Sequence, residues 1–289
     1  MTMNDIIENQ IAKFVSKNKI IKRSILSQAF NINCEKITLD NNKSLVAKYY
    51  IIENKKFNSI ESETNSLLYL LKKFPHTFPS VKYFSKDLLI MDYIEHNNIK
   101  DENYQYILAK EVLKLHAINN DSYGFEFDSQ IGGLRQNSSY NSNWINFFGE
   151  QRLNMIFELI NQNDSMPKDT NKLIEKLLKS LENRIPKNPK PSLLHGDLWS
   201  GNILFHNNNF AGFIDPGTYF GHNELEVAYL TWFKYVDDLF LNRYSDTIIL
   251  HNDYFEYEPI YQLYFSLLNV YLWDKKYIHD VNRLLNLIS

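Results

Sequence analysis

Apolar residues recur at helical spacing in the first ~18 positions, where Ile6, Ile7, Ile11, Phe14 and Val15 share one face and predict an amphipathic helix. The pattern then shortens. Cys34–Leu39 and Leu45–Ile51 are β-prone runs separated by the turn cluster Asp40-Asn41-Asn42-Lys43, which predicts a hairpin carrying Lys48. From about Phe57 to Lys72, Ile60, Leu67, Leu68 and Leu71 return at mixed helical separations and predict a helix bearing Glu63. Leu88-Leu89-Ile90-Met91 reads as a buried strand ending in Asp92-Tyr93-Ile94. Beyond it the pattern is mostly helical. Tyr106, Ile107, Ala109, Val112, Leu113 and His116 mark one helix, and Leu173, Leu177, Leu178 and Leu181 another, stopped by Pro186, Pro189 and Pro191. The stretch from Pro259 to Ile288 is helical again, and the chain shows no internal repeat or heptad run. The pattern predicts a division near residues 95–104.

Composition narrows the class without naming a chemistry. The 289 residues carry 44% hydrophobic and 22% charged side chains, with 9 Gly and 8 Pro, the profile of a folded globular chain. The net charge is −3, so no global basic field draws the protein to nucleic acid or to an anionic membrane, and an anionic ligand has to be bound locally. A single cysteine, Cys34, excludes an intrachain disulfide framework and a multi-cysteine metal site, and fits a reducing compartment. The acidic, amphipathic N-terminal stretch lacks the marks of a signal peptide, and no apolar run reaches the ~18 residues of a membrane span. The expected address is the cytoplasm.

The chemistry gathers in two stretches. Leu193-Leu194-His195-Gly196-Asp197-Leu198-Trp199-Ser200-Gly201-Asn202-Ile203-Leu204-Phe205 sets a polar loop between two apolar runs, and Asp215 closes the next apolar run just before Pro216-Gly217. An Asp five residues before an Asn, followed by a second Asp, matches the spacing of a kinase catalytic loop and its metal-binding aspartate. In that arrangement Asp197 is the base that accepts a hydroxyl proton, and Asn202 and Asp215 are hard oxygen ligands for Mg²⁺. Lys48 on its strand is placed to meet the α- and β-phosphates of ATP, with Glu63 as its ion-pair partner. Asp92, Tyr93 and Ile94, at a strand end before the division, are expected to offer backbone groups to an adenine ring. His195 is expected to hold the loop by hydrogen bonds rather than to transfer protons.

These residues resemble the fructosamine (ketosamine) kinase family. The resemblance rests on HGDLWSGN (His195–Asn202), on IDP (Ile214–Pro216) and on Tyr219-Phe220-Gly221-His222-Asn223-Glu224-Leu225-Glu226. It extends to Tyr123–Asp128 with Ile131-Gly132, to Asn143–Phe148 with Gln151-Arg152-Leu153, and to Tyr261–Tyr264. It implies an α+β, bilobal, protein-kinase-like fold, with a small β-rich N-lobe over residues 1–95 and a larger, mostly helical C-lobe over 96–289. It also implies an enzyme that uses ATP and Mg²⁺ to phosphorylate the 3-hydroxyl of the sugar part of a ketosamine or glycated amine, as deglycation repair. Trp199 is then either core packing or a platform for the sugar ring, and His222 and Glu224 either line the acceptor pocket or form a structural polar network.

Two stretches depart from the family's pattern. The segment matching its phosphate loop, Ser27-Gln28-Ala29-Phe30-Asn31-Ile32-Asn33, has no glycine, and Phe30 is expected to lack easy access to positive φ. The segment Val227–Tyr235 lacks the pair of glycines usual there. Two other readings therefore stand beside the ketosamine kinase: a kinase of another small hydroxyl acceptor, such as an aminoglycoside or amino alcohol, and a catalytically weak nucleotide-binding protein.

Overall fold

A computed structural model describes residues 2–52 and 57–288. In chain order its elements begin α1 (Met3–Phe14), β1 (Ile20–Ala29), β2 (Ile32–Leu39), β3 (Ser44–Tyr50), α2 (Ser59–Leu71), β4 (Val81–Phe84), β5 (Leu88–Asp92) and α3 (Tyr104–His116). There follow β6 (Ser129–Ile131), β7 (Leu134–Gln136), α4 (Trp144–Phe148), a π-helical stretch (Gly149–Asn154), α5 (Met155–Asp164), α6 (Lys168–Ser180) and β8 (Pro191–Leu194). The last are β9 (Ile203–His206), β10 (Asn209–Phe213), β11 (Tyr219–His222), α7 (Asn223–Trp232), α8 (Asp238–Ser245), α9 (Tyr254–Leu272) and α10 (Ile278–Ile288). The chain forms two compact units, one comprising residues 1–101, 129–135 and 202–217 and the other the remainder.

The first unit is built on an antiparallel five-stranded sheet in the order β1-β2-β3-β5-β4. α1 starts because Thr2 and Asp5 form a reciprocal capping box, each side chain accepting the other's backbone N–H. Its apolar stripe, Ile7 and Ile11 with Val15 just beyond, packs against Ile37, Leu39, Leu45, Ala47, Leu88 and Ile90 of the sheet. α2 starts on Asn58, whose side chain accepts the Glu61 N–H. The hairpin of β9 and β10 belongs to this unit through backbone bonds: Asn97 and Asn98 donate to Phe205 O (3.2 and 2.9 Å) and Phe213 to Thr77 O (2.8 Å).

The strands at 20–29 and 81–84 were not legible in the hydrophobic pattern, because β1 and β4 are the sheet's two edges and neither carries a buried position. The structure also corrects the expectation for Phe30. Phe30 and Asn31 form the two-residue turn between β1 and β2, with φ of 51° and 62°, the signature of a type I′ hairpin. A left-handed phenylalanine costs on the order of 1–3 kcal/mol and persists only where its surroundings hold it.

The second unit is mostly helical. β8 pairs antiparallel with β11, while α7 and α10 pack on α9. Trp144, Phe147 and Phe148 are fully buried, as core residues of α4. Arg152 is buried too, its guanidinium 4.6 Å from the Phe147 ring centroid and 4.2 Å from that of Tyr219, and it donates to Asn137 O at 2.6 Å. The long helix α9 begins at Tyr254, five residues ahead of Pro259, where the sequence pattern starts the helical stretch.

Because α1 docks through a few side chains, Ile11→Ala should cost about 2–5 kcal/mol of stability, read as a lower midpoint in urea unfolding with an unchanged slope.

Candidate active site

In the first unit the structure brings together Lys48, Glu63 and Asp215. Lys48 lies on β3, opposite Cys34 on β2 and Leu89 on β5, so it leaves the middle of the sheet rather than its margin. Its Nζ is 2.7 Å from Glu63 Oε1 and 2.5 Å from Asp215 Oδ1. Both Lys48 and Glu63 are buried, and Glu63 is the acid on α2 that reaches the lysine, whereas Glu61 lies exposed in the first turn. Burial works against the Lys48 charge, but the two carboxylates outweigh it and hold the lysine protonated well above its ordinary range. Burial also raises the Glu63 carboxyl to about 7, with Lys48 opposing and Asp215 reinforcing the shift.

Asp215 follows β10 with φ of 56° and directly precedes a proline, a conformation that a non-glycine residue adopts only under constraint. The Ile214 N–H donates to the Asn202 carbonyl at 3.1 Å, which sets Asn202 beside the aspartate's stretch of chain. Asn202 is buried and the Asp215 side chain is partly open. Among the described residues no group of three or more His, Cys, Asp or Glu gathers to cage a metal. An amide oxygen and one carboxylate are hard donors in the small number that suits Mg²⁺, which keeps waters and phosphates as its other ligands.

The remaining expectations for this unit divide. Asp92 is ion-paired with Lys43 (3.4 Å) and Lys82 (2.6 Å), and the N–H groups of Asp92 and Tyr93 donate to Ser80 O and Ser44 O. Those two donors are taken within the fold. Ile94 O is bonded by His96 Nδ1 at 2.8 Å. Cys34 is buried and burial pushes its thiol up to about 12, which leaves it an inert core residue rather than a reactive thiolate.

In the second unit the loop after β8 is held from beneath by Glu226 of α7. Its carboxylate accepts the backbone N–H groups of His195 (3.0 Å) and Gly196 (2.8 Å) and lies 3.0 Å from His116 Nε2. Burial would raise this carboxyl, but those hydrogen bonds and the nearby histidines bring it below the usual range, so it stays ionised. His195 Nδ1 accepts the Asp197 N–H at 3.3 Å, a fixing role within the loop. The Asp197 carboxylate accepts a hydrogen bond from Tyr229 at 3.4 Å, and burial keeps that phenol protonated. Tyr229 stacks face to face on Phe265, with centroids 3.7 Å apart. Glu226 and Tyr229 were missed as contributors to this loop by the sequence analysis. The available signal was their position after the IDP stretch, but which carboxylate turns inward is decided by the helix phase of α7.

Trp199 is 38% exposed, lies across Gly201 and sits 6.1 Å from the Phe233 ring. His222 and Glu224 are buried and committed to protein partners. His222 Nδ1 pairs with Tyr261 OH at 2.8 Å, and Glu224 accepts Tyr257 OH and the His251 N–H. Burial drops His222 to about 3, so it is neutral, and raises Glu224. Of the two alternatives the sequence left open for this pair, the structure displays the polar network.

The sequence profile of the fructosamine kinase family matches residues 4–289. The chain belongs to the fructosamine kinase family. As a member it is a kinase, a phosphotransferase with an alcohol group as acceptor. A protein of Enterococcus faecium named "Probable ketoamine kinase" is 30% identical over 238 residues, 80% of this chain and 83% of that protein. A solved structure assigned as a fructosamine-3-kinase, from Thermobifida fusca, superposes with a TM-score of 0.85 at 21% identity, covering 96% of this chain and 97% of that one. A ternary complex of an aminoglycoside phosphotransferase with streptomycin and ATP has a TM-score of 0.65 at 18% identity, covering 99% and 97%. These neighbours place the fold as protein-kinase-like and α+β. No helix among the described residues is long and apolar enough to cross a membrane.

The folded pKa of Glu63 lies above its unfolded value, so its ionisation costs stability as pH rises from about 4.5 through about 7. Glu63→Gln removes that charge. In thermal unfolding without nucleotide, the midpoint of the variant relative to the native protein should rise between pH 5 and pH 8.

Proposed function

We propose that this kinase transfers the γ-phosphoryl group of ATP to the 3-hydroxyl of the sugar part of a ketosamine, repairing glycated amines in the cytoplasm. The observation that carries this reading is the buried pairing of Lys48 with Glu63 and Asp215 in a chain whose family profile spans nearly its whole length. Nucleotide handling falls to Lys48, Glu63, Asn202 and Asp215, and acceptor activation to the loop at 195–199.

Asp197 accepts the proton of the acceptor hydroxyl as its oxygen bonds to the γ-phosphorus and the bond from that phosphorus to the ADP oxygen breaks. Tyr229 donates to one oxygen of the Asp197 carboxylate and so helps to orient the base. Glu226 fixes the loop's backbone, so the base is held in place before substrate arrives. Lys48, oriented by Glu63, presents a permanent cation to the α- and β-phosphates. Asn202 and Asp215 would hold Mg²⁺, which when bound neutralises charge on the β- and γ-phosphate oxygens. Trp199, exposed two residues after the base, offers a face on which a sugar ring can lie.

The test is ATP consumption with Mg²⁺ across ribulosamines, erythrulosamines, fructosamines, amino alcohols and aminoglycosides, with Asp215→Ala as the inactive control. Ketosamine-dependent turnover is expected, and turnover confined to aminoglycosides or amino alcohols would overturn the acceptor assignment. On the active acceptor, Asp197→Asn should lower kcat by roughly 10²–10⁴-fold. Tyr229→Phe keeps the stack on Phe265 and loses one hydrogen bond, so kcat should fall by up to about tenfold at unchanged KM for ATP.

A further inference from the structure

The turn at Phe30-Asn31 is the tip of the β1–β2 hairpin, the stretch that stands where the family carries a glycine-bearing phosphate loop. A second hairpin tip meets it. β6 and β7 are joined by Gly132-Gly133, with φ of 52° and 76°, again the type I′ pattern. A Cβ placed on Gly133 would stand 3.0 Å from Phe30 Cβ and 3.4 Å from its Cγ, so the phenylalanine side chain lies directly on the glycine backbone. The receiving tip is itself tied down, because the Gly133 N–H donates to Gln130 Oε1 at 3.0 Å. β6 also packs on α2, the helix that carries Glu63. Gln130 makes a further close approach, since a Cβ on Gly217 would fall 1.9 Å from the Gln130 carbonyl oxygen, two residues beyond Asp215. All of these residues belong to the first unit.

The geometry points to the β6–β7 hairpin as a bracket that latches the phosphate loop, with Phe30 as the latch and a positioning residue for nucleotide binding. The inference rests on the reading of residues 27–33 as the loop over the nucleotide phosphates. Paired glycines let a loop fold onto phosphate by removing side chains. Here the same end is met by pinning. Phe30 takes a left-handed conformation that its own backbone disfavours, and the contact with Gly133 is what holds it there. A loop held in one conformation before the ligand arrives loses less entropy on binding. The bracket reaches the loop tip, the turn after Asp215 and the helix of Glu63, so it relates the loop to the groups that surround Lys48.

Three variants test this: Phe30→Gly, which removes the latch, Phe30→Leu, which keeps an apolar side chain on Gly133, and Gly133→Ala, which disturbs the contact from the other side. Two measurements apply to each, amide hydrogen exchange of residues 27–33 without nucleotide, and calorimetric titration with a non-hydrolysable ATP analogue and Mg²⁺. Phe30→Gly and Gly133→Ala should exchange faster in that segment and bind the analogue roughly tenfold more weakly. Phe30→Leu should stay near the native protein in both. Unchanged exchange, or binding as tight as or tighter than native in Phe30→Gly, would overturn the latch. A native protein that does not bind the analogue at all would instead overturn the phosphate-loop reading, and the latch's role in binding with it.

Discussion

A cation buried in a protein without partners would shed its proton or unfold its surroundings, and Lys48 avoids this only by standing between Glu63 and Asp215. Much of the first unit is arranged around that requirement. β3 has to be internal to the sheet to bury the lysine stem, α2 has to start at Asn58 to bring Glu63 inward, and the β9–β10 hairpin has to be tied to residues 77–98 to deliver Asp215. Removing either partner of a buried pair costs far more than the pair contributes, because an uncompensated charge is left behind. In the proposed function the same triad presents a permanent cation to phosphate, so one arrangement would serve both the fold and the chemistry.

The second unit solves a different problem with the same device. The loop from His195 to Trp199 leaves β8 with backbone N–H groups that no strand partner takes, and Glu226 collects two of them. An ionised carboxylate inside the unit is tolerable because His116 and those N–H groups surround it. Tyr229 reaches the Asp197 carboxylate from the same helix three residues on, one helical turn away and therefore on the same face. Together they make α7 the part that positions the proposed base.

The two stretches where the sequence departs from its family's pattern each carry an aromatic side chain that makes a specific contact. Phe30 occupies a position where a glycine is expected and is held against Gly133, and Tyr229, in the segment lacking the glycine pair, holds Asp197. Each makes a contact that a glycine could not make.

The chemistry was legible in the sequence because it depends on residue type and short spacing. The apolar runs on either side of HGDLWSGN and before IDP, the lysine on a β-prone run and the helix bearing Glu63 all follow from local pattern, since strand and helix periods are set by nearest neighbours. What depended on tertiary structure lay outside any such period. The edge strands β1 and β4 carry no buried position and so leave little apolar pattern to read. The choice of Glu63 over Glu61, and the turn of Glu226 toward the loop while Glu224 is taken by Tyr257 and His251, depend on helix phase, which one-residue shifts reverse. The left-handed conformation of Phe30 goes against its own preference, and the residue its side chain meets, Gly133, lies about a hundred residues away in sequence. Sequence pattern alone determined which groups could do the chemistry, and long-range packing decided how each is held, because burial, charge pairing and strain are properties of neighbours that the chain brings together only when it folds.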